Sequence, residues 1–279
     1  MVPPKANDGD ILGRFREVIS DPLNLLIERV PNAGFVEDNL VRLHNGNRVP
    51  IIGAGAYYGP FSQLLVINRG VHEPLEEYVF QEVLKKLPPS PQMIELGAYW
   101  AHYSMWLMKE RPKASTIMIE PDPNNLMAGQ ANFSRNGFNG EFIQAAAATG
   151  HWQLDRFLNS RNISHVDILH VDIQGFEMDL IAGARDALSK ADVDYLFVST
   201  HSQSLHQRVA DELTGFGYRL EVLSDFDNDT TSFDGFVFAS SPQAKRVFRE
   251  FPYFGRTKIT ASRTEELMQA LEKVRESTL

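Results

Sequence analysis

Met93-Ile94-Glu95-Leu96-Gly97-Ala98-Tyr99-Trp100-Ala101-His102 is the stretch that decides the fold. A short apolar run of strand type stops at a glycine, and the spacing of apolar positions then becomes that of a helix running through Trp106. The same change of period recurs downstream. Thr116–Ile119 is followed by a helix near Leu126–Arg135, Phe142–Ala146 by one around Leu154–Leu158, and Val166–Val171 by one at Phe176–Leu188. Tyr195–Ser199 is followed by a helix at Leu205–Phe216, and the strands Tyr218–Leu223 and Phe236–Ala239 close the series. Strands that alternate with helices are joined by right-handed crossovers, which build a parallel sheet covered on both faces. The expectation is an α/β core over residues 88–242 with seven strands, mostly parallel. No helical pattern separates the last two strands, so they should pair antiparallel at the edge.

Working outward from this core, residues 11–30 place apolar side chains at helical intervals broken by Asp21-Pro22, which reads as two short helices. Val41 and Leu43, the turn dipeptide Asn45-Gly46, and Val49, Ile51 and Ile52 describe a β-hairpin. After His72-Glu73-Pro74 a helix from Leu75 to Leu87 ends at Pro88-Pro89. Residues 1–87 are thus an accessory segment of helices, a hairpin and a linking helix. Residues 243–279 form a tail whose final helix is announced by a capping box, Ser262 with Glu265, before Leu267, Leu271 and Val274.

Composition narrows the function classes. A formal net charge of −9 argues against a nucleic-acid partner, which calls for a basic surface to neutralise phosphates. The absence of cysteine removes disulfides, thiolate metal ligands and thiol nucleophiles. No apolar run approaches the roughly 20 residues of a membrane span, and the first thirty residues carry no export signal. A cytoplasmic protein without a membrane span is therefore expected.

In an open parallel sheet the ligand lies beyond the carboxyl ends of the strands, where strand order reverses. The first exit carries Gly97 alone, without the further glycines that let a backbone approach a pyrophosphate, so a nicotinamide oxidoreductase is disfavoured. The second strand ends Glu120-Pro121-Asp122, and Glu120 lies 23 residues after Gly97, close to the spacing of a carboxylate that accepts ribose hydroxyl protons. A phosphate-free adenosyl cofactor fits this pair. Glu95, Ala98 and Tyr99 beside the glycine, and Ala146 at the third exit, are further candidate contacts. The plainer reading makes Gly97 a bend and Glu120 the cap of a proline turn.

Asp172 ends the fourth strand and His201 the fifth, which puts both at the same rim. His201 is a candidate general base oriented by Asp172; alternatively the two hold a divalent cation such as magnesium. Glu177 reads as a carboxylate favouring the first turn of its helix rather than as a catalytic group. Asp225-Phe226-Asp227-Asn228-Asp229, with Asp234 beyond, reads as a solvated acidic loop, and Tyr57, Tyr58, Phe61, Tyr99 and Trp100 as core or as the wall of an acceptor site.

Asp172-Ile173-Gln174-Gly175-Phe176-Glu177, followed by an apolar helix with Gly183-Ala184, resembles the strand-four motif D-x-E-G-x-E of the FkbM family of S-adenosylmethionine-dependent methyltransferases. Glu95–Ser104 resembles that family's D-x-G-A-N-x-G-x-x-S, Ile119–Pro123 its second strand, and Leu154–Leu158 the segment before strand four, over about residues 71–240 in all. The resemblance implies a Rossmann-like class I methyltransferase fold and S-adenosylmethionine as cofactor. It also implies methyl transfer to a hydroxyl of a sugar or natural-product small molecule, with histidine at the position of His201. Glu95 stands for the family's Asp, Tyr99 for Asn, Ala101 for Gly, Gln174 for Glu and His170 for Lys. Those departures motivate an alternative: a noncatalytic member that binds cofactor or a partner protein. A small-molecule or carbohydrate acceptor is the expected partner, and a homo-oligomer remains open.

Overall fold

A computed structural model describes residues 11–279 except 54, 58, 148–150 and 253. Seven strands form the main sheet: β4 Gln92–Leu96, β5 Ser115–Ile119, β6 Glu141–Ile143, β7 Val166–Val171, β8 Val193–Thr200, β9 Arg219–Ser224 and β10 Gly235–Ser240. Their spatial order is β6-β5-β4-β7-β8-β10-β9. The first five in sequence pair in parallel, β10 runs antiparallel to both neighbours, and the last two strands make the expected antiparallel pair. This is the class I methyltransferase fold, and strand order reverses between β4 and β7.

Alternation along the central strands supplies two cores. Ile94, Leu96, Leu169, Val171, Leu196 and Val198 face one side, against helices Leu154–Arg161, Arg185–Lys190 and Gln203–Gly215. Met93, Ile168, Tyr195 and Phe197 face the other, against helices Pro74–Leu84 and His102–Glu110 and the tail helix Thr264–Ser277. A strand side chain can reach only one of these faces, a constraint that decides below where Glu95 goes.

The accessory segment contains a separate three-stranded antiparallel sheet, β1 Val36–Glu37, β2 Leu40–Arg42 and β3 Arg48–Pro50. The expected hairpin is β2–β3, in register Val41↔Val49, and its turn spans residues 43–47. Helix Ile11–Ser20 stops at Asp21, whose carboxylate accepts from the Leu23 N–H and so starts the 3₁₀ turn Pro22–Leu25. A third core under this segment holds Val41, Val49, Leu64, Leu65, Trp100, Met105 and Phe133.

Local differences from the sequence reading have physical causes. The expected helix at Phe176–Leu188 is two helices, Glu177–Ala182 and Arg185–Lys190. Asp155 from another segment accepts from the amides of Asp186 and Ala187 at 2.9 Å each, so the second helix starts afresh with its own cap. β6 ends at Ile143, where the chain turns off the sheet and Ala145–Ala147 become loop. The last helix is capped one residue later than expected: Glu266 accepts from the Arg263 N–H, and Ser262 lies outside. Helices Gln63–Ile67 and Arg256–Ala261 lie in stretches too short to show a period.

Candidate active site

The exits of β4, β5 and β7 are tied to one another by backbone bonds. Gly97 and Ala98 donate to Ile119 O, Glu120 donates to Ile143 O, and Asp172 donates to Leu96 O at 2.9 Å. The residues after these strands line one crevice: Gly97, Tyr99, Glu120, Pro121, Ala145–Ala147, Asp172, Gln174 and Phe176, floored by Leu96 and Ile119. Of the expected cofactor contacts, Gly97, Tyr99, Glu120, Pro121 and Ala146 therefore meet, together with Asp172.

Each has a local reason for its position. Gly97 has φ +73°, and a Cβ there would stand 1.6 Å from Asp172 O, so glycine is what lets the β4 exit cross the β7 exit. The buried Glu120 carboxylate accepts from Tyr99 N–H at 3.1 Å and from Asp122 N–H at 3.0 Å, which fixes it at the crevice wall. Asp122 turns instead to its own helix and accepts from the amides of Asn124 and Asn125 as the N-cap. Ala98 is buried behind the turn.

Glu95 does not line the crevice. It shares a strand face with Met93, opposite Leu96, and its buried carboxylate accepts from Ser104 N–H at 3.1 Å. Burial pushes that carboxyl up, despite His170 and the Ser104 bond. His170 is likewise structural: its Nε2 stands 2.5 Å from Glu76 Oε1, under helix Pro74–Leu84. Tyr57 and Trp100 fill the third core, Phe61 packs at its edge, and Tyr58 lies outside the described residues.

The departures at Tyr99 and Ala101 sit where the backbone is left-handed, at φ 40° and 60°. Asparagine and glycine, which the resembled pattern has at these two places, are the types that adopt this region most easily, and an L side chain costs roughly 1–2 kcal/mol there. Tyr99 has a compensating tie, since its hydroxyl donates to Ala56 O at 2.6 Å. The turn thus keeps its shape with other residues.

His201 stands at the rim, ringed by three carboxylates. Nδ1 is 2.5 Å from Glu177 Oε1, while Nε2 is 3.2 Å from Asp172 Oδ1 and 3.4 Å from Asp234 Oδ1. Burial alone would lower its pKa, but bonds with Asp172 and Glu177 and the charge of Asp234 push it up to about 10. Such surroundings favour the imidazolium over the neutral ring that a general base needs. Asp172 moves the other way: burial would raise its pKa, and the His201 bond holds it below the usual range.

Glu177 and Asp234 are the rim residues the sequence reading missed. Glu177 does serve its helix start, accepting from Gly175 N–H at 3.0 Å, yet the same oxygen faces His201. Asp234 precedes β10, and an antiparallel strand begins at the edge where its parallel neighbours end; Gly235 pairs with Thr200. The rest of that loop is the turn expected of it, with Asp225 accepting from the amides of Asn228 and Asp229.

Asp155, Asp172, Glu177 and His201 all fall within one stretch of chain. Residues 150–220 match the methyltransferase FkbM domain. The FkbM stretch contributes β7, β8 and the cap of helix Arg185–Lys190; Gly97, Glu120 and Asp234 come from outside it. No curated protein matches the chain. Solved structures similar to it include precorrin-6y C5,15-methyltransferase from Geobacter metallireducens, with 16% identity over 59% of this chain and 88% of that one, TM-score 0.42. M. capricolum TrmK in complex with S-adenosyl-homocysteine has 12% identity over 71% and 96%, TM-score 0.43. Aeropyrum pernix fibrillarin with natively bound S-adenosyl-L-methionine has 17% over 58% and 74%, TM-score 0.40. Identities this low say nothing of this chain's acceptor. No helix among the described residues is long and apolar enough to cross a membrane.

Proposed function

We propose that this chain is an S-adenosylmethionine-dependent O-methyltransferase acting on a hydroxyl of a small molecule, a sugar or natural-product scaffold. The observation that carries the reading is the meeting of Gly97, Glu120 and Asp172 in one crevice, with His201 and Asp234 beside Asp172. Glu120 offers its remaining lone pairs to the ribose hydroxyls, and the apolar walls Ile119, Ala145–Ala147 and Phe176 receive the adenosyl group. Asp172 supplies negative charge near the sulfonium. Methyl transfer breaks the C–S bond and forms a C–O bond in line, so the acceptor oxygen has to be held opposite the sulfur and must lose its proton.

For that proton, the rim favours a divalent cation over an imidazole base. Asp172, His201 and Asp234 each present a ligand atom, all within 4.8 Å of one another. Two carboxylates and one imidazole suit magnesium or manganese, and a bound ion of this kind lowers the pKa of a coordinated hydroxyl. Glu177 holds Nδ1 and so aims Nε2 at the same point.

Screening acceptors with methyl-labelled cofactor tests the activity, and calorimetry with S-adenosylmethionine tests binding. His201→Ala and Asp234→Asn should each lower turnover by about 10²–10⁴-fold while leaving cofactor affinity within about twofold. Chelation should do the same to the parent, with activity restored by magnesium or manganese. Turnover that survives both substitutions would remove the rim from the reaction, and failure of calorimetry to detect cofactor under any metal condition would overturn the whole reading.

A further inference from the structure

A second cluster of ligand-type side chains lies away from the crevice, where the accessory segment meets the core. His44 sits in the turn between β2 and β3, Glu77 in helix Pro74–Leu84, and His102 is the first residue of the helix that follows the Gly97 turn. Their side chains are 0%, 0% and 1% exposed. His44 Nε2 is 3.0 Å from Glu77 Oε2, His102 Nε2 is 3.7 Å from Glu77 Oε1, and the three ligand atoms lie within 4.8 Å of one another. His72, also buried, presses Nδ1 against Glu77 Oε1, and its ring centroid is 4.7 Å from that of His102.

Hydrogen bonding accounts for Glu77, whose Oε1 accepts from the amides of His72 at 2.9 Å and Glu73 at 3.3 Å, but not for the two histidines facing it. Both ring nitrogens of His102 and Nδ1 of His44 are buried with no hydrogen-bond partner. A neutral imidazole carries one donor and one acceptor, so His102 hides both from water with nothing in exchange. Trp100 stacks on one face of that ring at 4.9 Å, Trp106 stands edge-on to His44 at 4.3 Å, and neither satisfies an in-plane lone pair. Burial this complete, with nitrogens converging on one carboxylate, is what a metal ion repays.

We propose that His44, Glu77 and His102 form a binding site for a zinc-class divalent cation. Two imidazoles and a carboxylate make a nitrogen-rich set that suits zinc, in contrast to the oxygen-rich rim. His72 serves as the outer partner of Glu77, with its Nδ1 against Glu77 Oε1 and its Nε2 3.4 Å from Glu73 Oε2. A cavity of about 350 Å³ is lined by His44 together with Glu28, Glu110 and Trp106, so an entry path begins one side chain from the site. The ion would pin the accessory sheet and helix Pro74–Leu84 to the helix following Gly97. Its role is structural, independent of the activity proposed above.

The test loads the full chain with zinc sulfate, dialyses it exhaustively, and measures metal content and zinc-edge X-ray absorption. About one zinc per chain, ligated by two imidazoles, is expected. His201→Ala should keep that ion, because the rim holds a single histidine, whereas His102→Asn should lose it along with any zinc-dependent rise in Tm. Absorption counts the ligands in the unsubstituted protein, so the result stands even if His102→Asn does not fold. No zinc retained overturns the proposal, as does a one-imidazole spectrum or an ion lost with His201 and kept without His102; the pairing of Glu77 with His44 and His72 is then what holds the cluster.

Discussion

Replacing Gly97 with alanine is expected to destabilise the chain by about 3–5 kcal/mol, among the largest effects a single methyl group has. The alanine Cβ would lie 1.6 Å from Asp172 O and 2.7 Å from its carbonyl carbon, and both are backbone atoms that no rotamer change can move aside. Relief requires the β4 and β7 exits to part, which breaks the 2.9 Å bond from Asp172 N–H to Leu96 O. The φ of +73° adds its own cost for any residue with a side chain. In a chain of this size 1 kcal/mol corresponds to roughly 2–4 °C in Tm, so the variant should melt on the order of 10 °C early by calorimetry. The same separation moves Asp172 away from Glu120, so cofactor binding should disappear with it. An alanine variant melting within about 2 °C of the parent, at the scale of that conversion, would falsify the close crossing of the two strands.

That crossing also explains why part of the site was legible in the sequence. In a parallel sheet every carboxyl end faces the same edge, so reading Gly97, Glu120, Asp172 and His201 as strand-end residues was enough to bring them together. Adjacency to Gly97 does not bring Glu95 to the site, because strand residues alternate: Leu96 lines the crevice, so its neighbour faces helix His102–Glu110. Glu177 was understood from its own helix, and only the fold shows that its oxygen also meets His201, 24 positions away. Asp234 needed the position of β10 between β8 and β9, which long-range pairing decides. The His44, Glu77 and His102 cluster follows no spacing rule, since its members come from a turn and two helices. Only tertiary packing of the accessory segment assembles it.

Glu120→Ala should weaken S-adenosylmethionine binding by about 100-fold, because two charge-assisted bonds to ribose hydroxyls go at once. The side chain also has a structural task, holding Tyr99 N–H at 3.1 Å and Asp122 N–H at 3.0 Å. Those amides are left unpaired in the variant, so weaker binding alone does not separate contact from positioning. An S-adenosylmethionine analogue lacking both ribose hydroxyls makes the separation, since it has no bond to lose. If Glu120 touches the ribose, parent and variant should bind the analogue alike by calorimetry, while only the parent gains from the hydroxyls. If Glu120 acts through the Tyr99 turn, the substitution weakens both ligands by the same factor, and the carboxylate is then a positioning residue. Glu120→Gln, which keeps one acceptor oxygen for the amides but loses the charge, should fall between, at about tenfold. Affinity unchanged in Glu120→Ala would take the ribose out of this crevice and with it the assignment of the cofactor.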